Sequence, residues 1–377
     1  MNARSYTARV HAAFVVCVVC VVVAAAGCQK PTSSAAPSEP AASAASQPPD
    51  SAASTTAAAS QPTLVTEENF VRAESDKYFN SRVEGSGIGK LGILRELMPI
   101  DKQAVIRSNR DTLYSPGVFD LEAGPVTVTL PDPGKRFMSA LVIDQDEYAL
   151  KTVYAPATFT ISKNDAETRY VLIGVRTFAN PNDPADMKAA HALQDHVKVE
   201  QAGTGSWEVP RWDAASQDNV RARLIQRAAT LTDSRGMFGP RGQVDPEKHL
   251  IGAASGWGGN NEKDAIYLIV VPPKNDGKTV HTMRVEPGVP VDAFWSVSVY
   301  GQDGYFHKND LDAYSVNDVT AKKAADGSVT IQFGGCDGKV QNCLPIMAGW
   351  NYWVRLYRPK QAILDGTWKF PEAKPAS

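Results

Sequence analysis

The chain is poor in cysteine and histidine and nearly neutral, and each shortage excludes something. Five cysteines and six histidines among 377 residues give few soft metal ligands: Cys17 and Cys20 lie in an apolar run, His191 and His196 do not share a helix face well, and no His or Cys pair at ligand spacing sits near Cys336 and Cys343. Formal charge is −2, from 39 basic and 41 acidic residues. A nucleic-acid partner normally requires a basic face, so none is expected. The apolar run Ala12 to Ala26 is too short for a membrane-spanning helix, which needs roughly 20 residues. The GxSxG elbow, the HExxH zinc motif and SxxK are absent, which removes the common hydrolase signatures but not hydrolysis itself. Within GSGIGKLG, Gly87, Gly89 and Gly92 have the spacing of a dinucleotide fingerprint, but no strand precedes them and the βαβ context is missing. Neither a metal nor a cofactor is expected.

What remains is an ordinary globular composition, 43% hydrophobic and 21% charged, long enough for two or three domains. Residues 1–27 read as an export signal: Arg4 and Arg9 precede the apolar run, and Ala25, Ala26 and Gly27 lead into Cys28. That ending resembles the lipobox of bacterial lipoproteins. The resemblance implies acylation of Cys28, anchorage in a lipid bilayer, and, with Gln29 next, an outer-membrane lipoprotein facing the periplasm. Residues 28–63, rich in Ala, Ser and Pro, cannot bury a core and read as a tether.

The body is expected to be mainly β with a helical portion. Residues 64–180 open with a helix capped by Thr66, with Glu67 and Glu68 in its first turn. Strand-like runs follow at Val126–Leu130, Phe137–Ile143, Thr158–Ile161 and Tyr170–Val175, the spacing of an antiparallel sandwich. Residues 181–260 carry helices: Asp183 before Pro184 is a cap followed by a first-position proline, and Ala214–Leu231 has helical periodicity. Residues 261–377 return to strands, with Asn275-Asp276-Gly277 as a hairpin turn between Ala265–Val271 and Thr279–Val285. Cys336 and Cys343 are close enough in sequence for a local disulfide in an oxidising compartment. Two free thiols or part of a metal site are the alternatives.

VIRSNRDTLYSPGVFDLEAGPVTVTLPD resembles domain-of-unknown-function family 1254, and FWSVSVYGQDGYF with VRLYRPKQAILDGTWKFPEA resembles family 1214. The resemblance implies an N-terminal immunoglobulin-like sandwich, middle helices and a C-terminal jelly-roll-like sandwich. It implies no activity.

The densest polar stretch is Asn109-Arg110-Asp111-Thr112-Leu113-Tyr114. Arg110 suits a carboxylate, phosphate or sugar, and Asp111 could accept a proton or orient Arg110. An internal Arg110–Asp111 pair tying a loop to the sheet is the structural alternative. His249 and Trp257 flank a glycine-rich crossing in which Trp257 could stack on a sugar. Asp144, Asp146 and Glu147 offer paired carboxylates, or a solvated strand end. The leading expectation is a cleft between the two β modules that binds a carbohydrate or other polar ligand through Asn109, Arg110, Tyr114 and Trp257. The alternatives are a hydrolase or lyase using Asp111 or His249 as acid/base, and a structural protein of the envelope.

Overall fold

The computed structural model describes residues 61–103 and 105–376; the expected signal segment 1–27, Cys28 as expected acylation site, and the expected tether as far as residue 60 lie outside them. The first helix, α1 (Phe70–Ser86), starts later than its acidic residues suggest. Asn69 is the cap residue, and its Oδ1 accepts from the Thr66 amide at 2.8 Å, closing a separate turn over Thr66–Asn69. Glu67 and Glu68 therefore precede the helix.

The N-terminal module contains β1 (Thr112–Asp120), β2 (Val126–Leu130), β3 (Met138–Asp144), β4 (Ala149–Tyr154), β5 (Ala157–Ile161) and β6 (Tyr170–Phe178). Helix α2 (Pro184–Asp195) then leads to β7 (Lys198–Gln201). Asp183 caps α2 through the amides of Ala185 and Asp186, with Pro184 in the first turn, as the Asp-Pro signal predicts. The strands form two sheets, β1-β6-β3-β4 and β5-β2-β7. In β2 the alternation is clean: Val126, Val128 and Leu130 are buried, while Thr127 and Thr129 face outward and pair with Thr160 and Thr158. Strand β6 is buried along its whole length. Val171, Ile173 and Val175 enter the sandwich core, so by the period of two Leu172, Gly174 and Arg176 point the other way.

Helices α3 (Ala214–Ala228) and α4 (Pro246–Gly256) pack on α1 through Phe70, Ala73, Val220, Leu224, Ala253 and Ala254. His249 thus sits on a helix, capped by Asp245 and with Pro246 in its first turn, and not in a glycine-rich loop.

The C-terminal module comprises β8 (Ala265–Val270), β9 (His281–Val285), β10 (Trp295–Tyr300), β11 (Ser315–Asn317), β12 (Val329–Phe333), β13 (Cys343–Leu344), β14 (Asn351–Tyr357), α5 (Gln361–Leu364) and β15 (Lys374–Pro375). Its sheets are β11-β10-β14-β8 and β13-β12-β9-β15; pairing is antiparallel except between β12 and β13. The expected hairpin between β8 and β9 does not form. Asp276 does close its turn, through the amides of Lys278 and Thr279, but β8 pairs with β14 and β9 with β12. The turn carries the chain from one sheet to the other. Cys336 and Cys343 form a disulfide, with S–S at 2.07 Å.

Val354 and Leu356 of β14 fill the C-terminal sandwich, which turns Trp353, Arg355 and Tyr357 to the opposite face. That face and the outer face of β1-β6-β3-β4 meet in a shared aromatic layer of Phe178, Tyr267, Phe294, Trp353 and Tyr357. The described residues form one compact unit, and the interface between its two sandwiches holds the candidate site.

Candidate functional site

The two facing sheets do not close completely. Between them lies a cavity of about 140 Å³, lined from β1 by Tyr114, from β6 by Arg176, from β8 by Tyr267 and from β14 by Trp353, Arg355 and Tyr357. Arg107, Ser108 and Asn109 complete one wall, and Trp257 with Gly258 another. For scale, an engineered apolar cavity of roughly 150 Å³ takes up benzene.

Four arginines line this cavity, Arg82, Arg107, Arg176 and Arg355, and none has a carboxylate within ion-pair distance among the described residues. Arg176 is 8% exposed and donates to Asn260 Oδ1 at 3.1 Å and to the Gly258 carbonyl at 3.0 Å. Arg355 is 3% exposed and donates to Ser298 Oγ, to Tyr300 Oη and to the carbonyls of Arg107 and Ser108. Arg107, with φ +50, donates to the Ser255 carbonyl at 2.9 Å and lies over the Trp353 ring at 5.2 Å. Their partners are neutral. A buried charge held only by dipoles is costly unless something neutralises it. Asp111 and Asp303 act on Arg355 and Arg107 through space, without contact. Three buried polar atoms of the lining residues, Arg107 Nε, Ser108 Oγ and Trp353 Nε1, have no partner among the described residues.

The phenols add to this donor character. Tyr267 Oη accepts from both the amide and the Nδ2 of Asn260, at 3.0 and 2.7 Å, which leaves its own proton for an acceptor elsewhere. Tyr114 stands directly across from Arg176 in the β1–β6 register. Its Oη accepts from Asn109 Nδ2 at 3.2 Å. Burial, the largest influence, pushes this phenol up, but the Arg176 charge and the hydrogen bonds with Arg176, Asn109 and Thr112 together outweigh it and hold it below the usual tyrosine range.

Of the residues expected at the site, Asn109, Tyr114 and Trp257 line the cavity. Trp257 is not a free stacking platform: its ring packs on Tyr78 at 4.7 Å, and its Nε1 donates to Ser75 at 3.1 Å. Arg110 points elsewhere, donating to the Met98 carbonyl and covering Tyr314. Asp111, 1% exposed, accepts from Ser296, Ser315 and Asn317. It is a pin between the modules and neither pairs with Arg110 nor reaches a substrate. His249 is also withdrawn, with both ring nitrogens against the carbonyls of Met237 and Asp146 and its face stacked on Tyr148. The expectation of Arg110 as ligand and of Asp111 and His249 as acid/base is corrected accordingly.

Asp144, Asp146 and Glu147 lie behind Trp257. Asp146 is ion-paired with Arg72 and Arg241 at 2.6 and 2.9 Å. Asp144 accepts from the amides of Asp146 and Tyr148, and burial pushes it up to about 6. Glu147 is buried too, and burial raises it well above the usual carboxylate range. Its Oε1 accepts from the Gly258 amide at 2.9 Å, and Gly258 has φ +79, where glycine is favoured. One residue thus offers its amide to an acid and its carbonyl to Arg176. No cluster of three or more potential metal ligands exists among the described residues, nor is any described helix long and apolar enough to cross a membrane.

Arg107 belongs to the polar knot legible in the sequence, whereas Arg176 and Arg355 are not marked by any motif. Arg176 and Arg355 are lone charges inside otherwise apolar strands, YVLIGVRTF and NYWVRLY, and that incongruity was the available signal.

Comparison with known proteins gives families without activities. No curated protein matches the chain. The VPA0106 protein from Vibrio parahaemolyticus is similar in structure, with a TM-score of 0.61 at 19% identity over 82% of this chain and 98% of that one. An uncharacterized protein from Burkholderia cenocepacia gives a TM-score of 0.47 at 13% identity, over 81% and 86%. The first likeness extends to the fold alone. Residues 88–163 match the model of the family described as "Protein of unknown function (DUF1254)", and residues 273–361 match that of the family described as "Protein of unknown function (DUF1214)", in that order along the chain.

Proposed function

We propose that this protein binds a small organic anion in the cavity between its two sandwiches. The observation that carries the reading is the set of guanidiniums of Arg176 and Arg355, both buried, and of the half-buried Arg107, which line one cavity without a carboxylate partner. A lining that mainly offers hydrogens suits a ligand that mainly accepts them: a carboxylate or phosphate, held by the guanidinium fork. A sugar needs acceptors as well as donors, and the side chains here supply few. Aromatic and aliphatic walls, including Trp353, Leu141 and Ile143, leave room for a short chain or one ring. On this reading the body works in the cell envelope, tethered through an acylated Cys28 and facing the periplasm.

The test is a thermal-shift and calorimetric comparison of the protein with benzoate, 2-oxobutanoate, inorganic phosphate and glucose. A ligand that binds only the native state raises its melting temperature. One or more of the anions should bind and glucose should not. Arg176→Met and Arg355→Met should each weaken binding by about 10- to 100-fold, the range for a hydrogen bond to a charged group. Glucose binding in preference to every anion, or unchanged anion affinity in both variants, would overturn the reading.

A further inference from the structure

Three candidates stand out beyond simple anion binding: the half-open groove between Lys135 and Arg358, the buried acid Glu147, and the Tyr114 phenol. The groove shows nothing that selects an occupant, and Glu147 is not among the cavity-lining residues. Tyr114 does line the cavity, and its surroundings restrict what it can do.

The orientation of Asn109 is fixed. Its Oδ1 accepts from the Asp111 amide at 2.8 Å, so the Nδ2 end must face the Tyr114 oxygen, as a donor. Thr112 holds the same Nδ2 at 3.0 Å. Across the strand pair stands Arg176, anchored by Asn260 and Gly258, with its guanidinium 5.7 Å from the Tyr114 ring. Among the described residues the Tyr114 hydroxyl meets the Asn109 donor and the Thr112 hydroxyl, and no carboxylate or carbonyl takes its proton. An oxygen that faces a donor and a cation, with no carboxylate or carbonyl to take its proton, is a site prepared for a phenolate, which is a base. Arg107 and Arg355 lie on the same cavity and remain to stabilise charge that forms on a ligand.

We propose that Tyr114 is a proton-transfer residue acting on an enolisable organic acid, such as a 2-oxo acid, bound in this cavity. This rests on the anion-binding reading and gives it a reaction. The C–H bond next to the carbonyl breaks, its proton forms an O–H bond with the phenolate, and its electron pair moves into the enolate. The enolate oxygen is met by guanidinium donors. Returning the proton to carbon regenerates the acid or its isomer, and no other reactant is consumed.

Two measurements on the full chain test this. The first is ultraviolet titration of tyrosinate absorbance: the earliest tyrosine to ionise should vanish in Tyr114→Phe. In Asn109→Asp, which keeps the Asp111 contact but puts an acceptor beside the phenol, it should move to higher pH. The second is deuterium exchange into 2-oxobutanoate and phenylpyruvate in heavy water, followed by nuclear magnetic resonance. The protein should accelerate exchange, and Tyr114→Phe should cut that acceleration by about 10²- to 10⁴-fold, the usual contribution of a positioned base. An unchanged first ionisation in Tyr114→Phe, or exchange equal to wild type in that variant, would overturn the assignment. If the wild-type protein binds anions but exchanges no probe, the assignment falls and the binding reading stands. If it binds no anion, both fall.

Discussion

Two charged regions lie on either side of Trp257, and they treat arginine in opposite ways. Behind it, Arg72 and Arg241 share Asp146, and Arg221 engages Glu74 with Gln217 in support. In front of it, Arg107, Arg176 and Arg355 have carbonyls, hydroxyls and one amide oxygen, but no acid in contact. The first region is complete within the protein. In the second, charge is left over. A paired buried arginine explains itself through stability, whereas an unpaired one calls for a partner from outside. Gly258 joins the two, its amide on Glu147 and its carbonyl on Arg176.

The sharpest way to break this contrast is to remove one arginine from each side. Glu74 is fully buried and holds Arg221 through two contacts. Arg221→Met therefore leaves an uncompensated buried carboxylate and should destabilise the protein by about 3–5 kcal/mol. Arg176→Met removes a charge that has no counter-charge, and should cost less than about 2 kcal/mol while weakening anion binding. Chemical denaturation of the two variants measures both. Equal losses of stability would mean that the two sets of arginines play the same structural part.

A smaller effect is expected at the pin between the modules. Asp111 takes hydrogen bonds from three C-terminal side chains, one of them, from Ser296, at 2.6 Å. Asp111→Ala should cost about 2–3 kcal/mol, since hydrogen bonds to a charged acceptor are lost and their donors stay buried. A catalytic Asp111 would behave differently, with stability retained and exchange into oxo acids lost.

How this site stayed hidden in the sequence follows from the same geometry. The alternation of Val126 to Leu130 and the Asp183-Pro184 cap depend only on neighbours along the chain, and both are realised. The same Asp-Pro signal at Asp245-Pro246 begins α4, yet the glycines after Trp257 drew attention away from it. The polar knot is legible as a cluster, but its sides are decided by β1. Tyr114 is carried to the cavity, while Asp111, just before the strand, meets β10 and β11 of the other module. Which residues face an inter-module surface depends on contacts made 180 or more residues away, and no local period encodes that. An arginine in an apolar strand looks like an edge charge until a second sheet is known to cover it.

The mildest test concerns the acidic side alone. Burial raises Asp144 from 3.8 to about 6, so the folded protein binds this proton more tightly than the unfolded chain does. The resulting stabilisation is complete below about pH 4 and is lost as pH rises through 6. Asp76 and Glu147 are raised by burial as well and act in the same direction. Asp144→Asn keeps an oxygen for the Asp146 and Tyr148 amides and removes the charge. It should flatten the fall in stability between pH 4 and 6 by about 1–2 kcal/mol, somewhat less than the full shift implies because buried sites relax and admit water. Anion binding in the cavity should not change. If binding also moves with this substitution, the two regions are coupled through Gly258, and the neutral partners of Arg176 are not independent of the acids behind them.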